Sequence, residues 1–140
     1  MQNQGDQQKA ERVLLADSHQ NMLAGIRSIL ETAFNVVIMV ADEKSLLDSL
    51  DKVSPDLVVV DLSLPITEEI NVARRIKKHN PEMKVVVLSV HDEQTAVDAC
   101  ILAGAAGFVL KRTAAIDLIP AIWDVLKGRT YVSPSVNVEG

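Results

Sequence analysis

Four side chains of this 140-residue chain stand at or near the ends of short apolar runs and are of types that phosphorus and metal chemistry use. Asp17 closes RVLLAD, Asp61 closes DLVVVD, Ser89 lies near the end of KVVVLSV, and Lys111 closes GFVLK. A carboxylate can attack phosphorus, oxygen ligands can hold a hard divalent cation, and a hydroxyl and an ammonium can donate to phosphoryl oxygens. Each residue alone has a plainer explanation, since strand-end acids cap helices and strand-end lysines reach out to water. The four together form a chemically complete set if the fold brings those run ends to one edge.

The pattern between them predicts such a fold. Arg12 to Asp17, Val36 to Ala41, Asp56 to Asp61, Lys84 to Val90 and Gly107 to Lys111 read as strands, the first as one buried on both faces and the fourth as buried. Helical spacing separates them: Met22, Leu23, Ile26, Ile29 and Leu30; Leu46, Leu47 and Leu50; a helix from Glu68 to His79; and Ala96, Val97, Ala99, Cys100 and Ala103 after Asp92. A last helix is capped by Thr113, carries Ile116, Ile119, Ile122, Trp123 and Leu126, and ends at Gly128. Strict alternation predicts a doubly wound α/β domain with a five-stranded parallel sheet, because each parallel connection needs a crossover. In such sheets the functional crevice lies beyond the carboxyl ends of the strands, where the four residues fall.

Composition sets bounds. A 48% hydrophobic and 24% charged chain of this length is expected to fold as one soluble globular domain. A net charge of −5 argues against a nucleic-acid surface, and the basic group Arg74, Arg75, Lys77 and Lys78 reads as a solvated helix face. The lone Cys100 reads as a small buried residue suited to a reducing cytoplasm, and no run is long enough to span a bilayer. His19, His79 and His91 are too widely spaced for an obvious metal set and read as exposed loop residues. Residues 1–10 are expected to be a disordered leader, 11–133 the domain, and 134–140 the start of a linker or an added tail.

Five stretches carry a resemblance: VLLADSH at 13–19, PDLVVVDLSLP at 55–65, VVVLSVHDE at 85–93, AGAAGFVLKR at 103–112 and AIWDVLKGRTYVSP at 121–134. Together they resemble response-regulator receiver domains of the NarL/FixJ (LuxR-type) branch, over nearly the whole chain. The resemblance implies that Asp61 accepts a phosphoryl group from a sensor histidine kinase or a small phosphodonor. It implies Mg²⁺ as cofactor, held by Asp17, Asp61 and the backbone carbonyl of Ser63. Ser89 and Lys111 would bond the phosphoryl oxygens, and Phe108 would be the switch aromatic, turning inward as Ser89 moves. Homodimerisation on phosphorylation is implied too, as is DNA contact only through a domain that these residues do not encode. No membrane association is expected, and a cytoplasmic location is.

Two departures stand out. Where the family has two consecutive acids, Asp17 is followed by Ser18, and Glu69 stands where glycine often follows the acceptor loop. Losing an anionic ligand weakens a hard-cation site. Two rival readings are a pseudo-receiver acting by protein contact alone and an unrelated flavodoxin-like enzyme, with phosphodonor labelling and substrate turnover as the discriminating observations. A haloacid-dehalogenase phosphatase lacks support because Asp61-Leu62-Ser63 has no second acid, and Gly104-Ala105-Ala106-Gly107 closes a helix instead of opening one.

Overall fold

A computed structural model describes residues 8–136, without the side chains of residues 20–23. The strands are β1 (Ala10–Ala16), β2 (Phe34–Val40), β3 (Leu57–Asp61), β4 (Val85–Ser89), β5 (Gly107–Leu110) and β6 (Tyr131–Val132). Between them lie the helices α1 (Gln20–Leu30), α2 (Glu43–Val53), α3 (Val72–His79), α4 (Gln94–Leu102) and α5 (Ala114–Leu126). The sheet order is β2-β1-β3-β4-β5-β6, and every pairing is parallel.

The apolar runs of β3, β4 and β5 form strands because both of their faces are covered, whereas β2, at the edge of the sheet, leaves Val36 and Met39 exposed. Along β1, Val13 and Leu15 pack with Ile26 and Leu30 of α1 and Leu118, Ala121 and Ile122 of α5. Leu14 and Ala16 point the other way, toward Leu46 and Leu50 of α2, Ala73 and Ile76 of α3 and Val97 and Cys100 of α4. The two-residue period thus feeds two separate cores from one strand. Gly107 is packed closely between β4 and α5: a Cβ there would lie 2.9 Å from Val86 Cγ2 and 3.3 Å from Val125 Cγ2.

The doubly wound class is as expected, with several local corrections. The sheet has six strands, because Tyr131–Val132 adds a short parallel strand along β5. The fold also extends beyond both expected boundaries, since Ala10 already pairs with Phe34 and Val136 is 7% exposed within the core. Residues 1–7 and 137–140 of the expected leader and tail lie outside the described residues. Helix α3 starts at Val72 instead of Glu68, because the Asn71 side chain accepts the Ala73 N–H at 2.8 Å and fixes the first turn there. Asp92 does not cap α4; Glu93 holds that position without a side-chain cap, and Asp92 meets Arg112 at 3.3 Å.

The buried face of α5 is rotated from the expected one. Ala114, Asp117, Leu118, Ala121, Ile122 and Val125 are buried, whereas Ile116 is 76% exposed. Thr113 precedes the helix but makes no side-chain cap bond; its hydroxyl donates to Asp117 Oδ2 at 2.5 Å. In α4, Val97 and Cys100 are buried while Ala99 is exposed. The basic cluster is only partly a solvated face: Arg75 pairs with Glu43 at 3.0 Å and Lys77 donates to the Met83 carbonyl at 2.9 Å. Cys100 is fully buried, as expected, and its setting pushes the thiol pKa up.

Candidate functional site

The chain reverses its direction of winding between β1 and β3, which lie side by side with Ala16 opposite Val60. The next residues on each strand are Asp17 and Asp61, so parallel register alone sets two carboxylates at the switch point. Their exposures are 0% and 2%. Lys111 is the first residue of a single 3-10 turn after β5 and reaches across with only 7% exposure. Its Nζ lies 3.2 Å from Asp17 Oδ2 and 3.1 Å from Asp61 Oδ2. One ammonium therefore neutralises part of a buried pair whose mutual repulsion would otherwise drive one carboxyl to protonate.

Asp61 is held on every side. The Ser63 N–H and hydroxyl donate to Oδ1 at 3.0 Å, and the same hydroxyl lies 3.0 Å from Oδ2. His19 Nδ1 is 2.8 Å from Oδ2. Burial pushes the Asp61 carboxyl up, but the Ser63 amide, Lys111, Asp17 and His19 together outweigh it and hold the group at about 2. The carboxyl is thus an anion, the form that attacks phosphorus or binds a cation, across ordinary pH.

The His19 N–H donates to Asp17 Oδ1 at 2.7 Å, and its ring Nδ1 is 3.3 Å from the same oxygen. Ligand atoms of Asp17, His19 and Asp61 all lie within 4.8 Å of one another, close enough for one ion to draw them together. Ser18 is exposed and stands outside this group.

Ser89 is buried at the end of β4, where its hydroxyl accepts the His91 N–H at 2.8 Å and donates to the His91 carbonyl at 3.2 Å. Phe108 is fully buried among residues of the α2–α4 face. The ring is therefore already inside while Ser89 remains bonded to the loop after its own strand.

Sequence reading brought Asp17, Asp61 and Lys111 to one point but did not include His19, which was expected to be an ordinary loop residue. Its side chain is 57% exposed, consistent with a loop, yet its Nδ1 meets both acids. The available signal was its position two residues beyond a strand-end acid, within reach of that acid's carboxylate. A second missed group is the buried Asp117, which accepts from Thr113, Ser133 and Tyr131 on the far side of the Lys111 turn.

The family model of the response regulator receiver domain matches residues 13–123. DegU, a transcriptional regulatory protein of Brevibacillus brevis, is 32% identical over 127 residues, covering 89% of this chain and 54% of that protein. RcsB, a transcriptional regulatory protein of Escherichia coli K12, is 32% identical over 130 residues, covering 89% and 60%. This chain thus spans little more than half the length of those relatives. A LuxR-family two-component response regulator from Aurantimonas sp. SI85-9A1 superposes with a TM-score of 0.83 at 29% identity, covering 92% of this chain and 93% of that one. The isolated receiver domain of Salmonella RcsB, solved with the phosphomimetic BeF₃⁻, gives 0.81 at 30% identity over 91% and 96%. Among the described residues no helix is long and apolar enough to cross a membrane. With the order of the sheet, the acids at its switch point and these likenesses in agreement, the chain belongs to the response regulator receiver domain family, among relatives of the LuxR type.

Proposed function

We propose that Asp61 is the phosphoacceptor of this receiver domain. The observation that carries the reading is a buried, ionised carboxylate at the end of the central strand with Lys111 Nζ at 3.1 Å. In the transfer, an Asp61 oxygen bonds to phosphorus as the bond from phosphorus to a kinase imidazole nitrogen, or to a small donor's leaving oxygen, breaks. Lys111 stays beside the incoming oxygens, and the Ser89 hydroxyl exchanges the His91 backbone for the phosphoryl group. Asp17, Asp61 and the Ser63 carbonyl would hold Mg²⁺, a fit supported by the two adjacent carboxylates. When bound, the ion offsets the charge of the transferred group.

The wider setting follows from the same reading. The protein works in the cytoplasm, a sensor histidine kinase is the donor, and phosphorylation promotes a homodimer. DNA is reached through a separate output domain; the relative RcsB has been solved in complex with DNA. A contact-only module is the second reading, favoured by the neutral, exposed Ser18 beside Asp17. The test is incubation with acetyl phosphate and Mg²⁺, followed by intact mass. Wild type gains one phosphoryl group, and Asp61→Asn gains none. Equal labelling of both proteins refutes the site assignment, and labelling of neither selects the contact-only reading.

A further inference from the structure

We propose that His19 makes the acidic site a mixed nitrogen and oxygen centre that selects a borderline transition ion such as Co²⁺ or Zn²⁺ over Mg²⁺. The inference rests on the reading of Asp17 and Asp61 as the divalent-cation acids and adds a nitrogen ligand from this chain.

The spacing of the three groups is that of a coordination shell. His19 Nδ1 stands 2.8 Å from Asp61 Oδ2 and 3.3 Å from Asp17 Oδ1. Donor atoms bonded at about 2.0–2.2 Å to one ion, at tetrahedral or octahedral angles, are themselves roughly 3–3.4 Å apart. An ion can therefore take these atoms with small side-chain shifts. Lys111 meets Asp17 on its other oxygen, Oδ2, and shares Asp61 Oδ2 with His19 at 3.1 Å, so the ion takes Asp61 Oδ2 beside the ammonium and Asp17 through the Oδ1 side.

Chemistry sets the preference. Mg²⁺ takes oxygen ligands, whereas imidazole suits Zn²⁺ and related ions. The position after Asp17 offers only Ser18, exposed and outside the ligand group. One anionic oxygen is thereby missing from the acidic set while a ring nitrogen is supplied. Both carboxylates are buried, but the imidazole is 57% exposed, so the ion enters past the histidine. With the Ser63 carbonyl these make four protein ligands, so a six-coordinate ion keeps positions for water or a phosphoryl oxygen.

The test compares Mg²⁺ and Co²⁺ binding by calorimetry, with Co²⁺ visible absorption as a direct report of ligation. The chain has three histidines, so the parent carries His79→Gln and His91→Gln to remove the other imidazoles. In that background His19→Asn is expected to weaken Co²⁺ binding by about tenfold or more, with loss of the intensified absorption, and to leave Mg²⁺ affinity within about twofold. Co²⁺ affinity unchanged by His19→Asn, or both ions weakened by the same factor, overturns the proposal. Asp17→Asn separates the layers: if it weakens both ions while His19→Asn weakens neither, only the role of His19 fails. If it affects neither ion, the acidic-site reading fails with it.

Discussion

Replacing Asp117 with alanine removes the centre of a buried polar knot behind the Lys111 turn. The Asp117 carboxylate accepts from the Thr113 hydroxyl at 2.5 Å, the Ser133 hydroxyl at 2.7 Å and the Tyr131 hydroxyl at 3.3 Å. Ser133 in turn accepts the Leu110 N–H at 3.0 Å, so the knot ties β5, α5 and the segment after β6 together. Two short bonds to an ionised acceptor contribute about 3–6 kcal/mol in sum. Removing a buried carboxylate also relieves part of its desolvation cost, which leaves a net loss of about 2–4 kcal/mol. At about 4 °C per kcal/mol for a domain of this size, Tm falls by roughly 8–16 °C. Urea unfolding of wild type, Asp117→Ala, Ser133→Ala and the double variant measures both the loss and the coupling. A loss below about 0.5 kcal/mol, or strict additivity of the two substitutions, refutes the account, because groups sharing a bond must couple.

The same knot has a signature in pH. Burial first, and then the charge of Asp117, push the Tyr131 phenol pKa up from its ordinary value. A raised folded value means that the phenol's contribution to stability is complete below about pH 10 and is lost as pH rises through the folded pKa. Titration of phenolate absorbance should show a late transition in wild type and an earlier one in Asp117→Asn; coincident curves refute the contribution of Asp117. Gly107→Ala should cost about 1–3 kcal/mol in urea unfolding, since its new Cβ meets the buried Val86 side chain at 2.9 Å; an unchanged midpoint contradicts the close approach of α5. Ser18→Asp should tighten Mg²⁺ binding by restoring an anionic ligand beside Asp17, and equal or weaker binding in a calorimetric titration removes that reasoning. Cys100, buried and raised in pKa by desolvation, should react with a thiol reagent only at the rate of local opening, so a rate equal to that of unfolded protein contradicts its burial.

Asp17, Asp61 and Lys111 were legible because each ends an apolar run long enough to be a strand, and parallel order sends all such ends to one edge. What local pattern lacks is orientation around a helix and across a loop. Ile116 looked like core by its apolar type, yet the inward face of α5 is set by Leu118, Ile122 and a buried acid that ordinary hydrophobic periodicity discards. The Glu68–Asn71 stretch shows the same limit, since Asn71 starts the helix through a side-chain bond that composition alone does not announce. His19 escaped notice because its role comes from distance to Asp61, 42 positions away, rather than from spacing to another histidine. Two residues of β6 were too short a run to register, and the sheet supplies what periodicity could not: β5 pairs with them and the Asp117 knot holds Ser133 in place.

That short strand governs where the chain departs. Because β6 runs parallel to β5, the segment after it emerges at the carboxyl rim of the sheet, the same rim that carries Asp61. There the Arg112 guanidinium, one residue beyond Lys111, donates to the Ser135 carbonyl at 3.4 Å. Anything joined to Val136 therefore starts from the rim that carries Asp61. Its encounter with that rim is intramolecular, governed by effective concentration and tether length instead of by free diffusion.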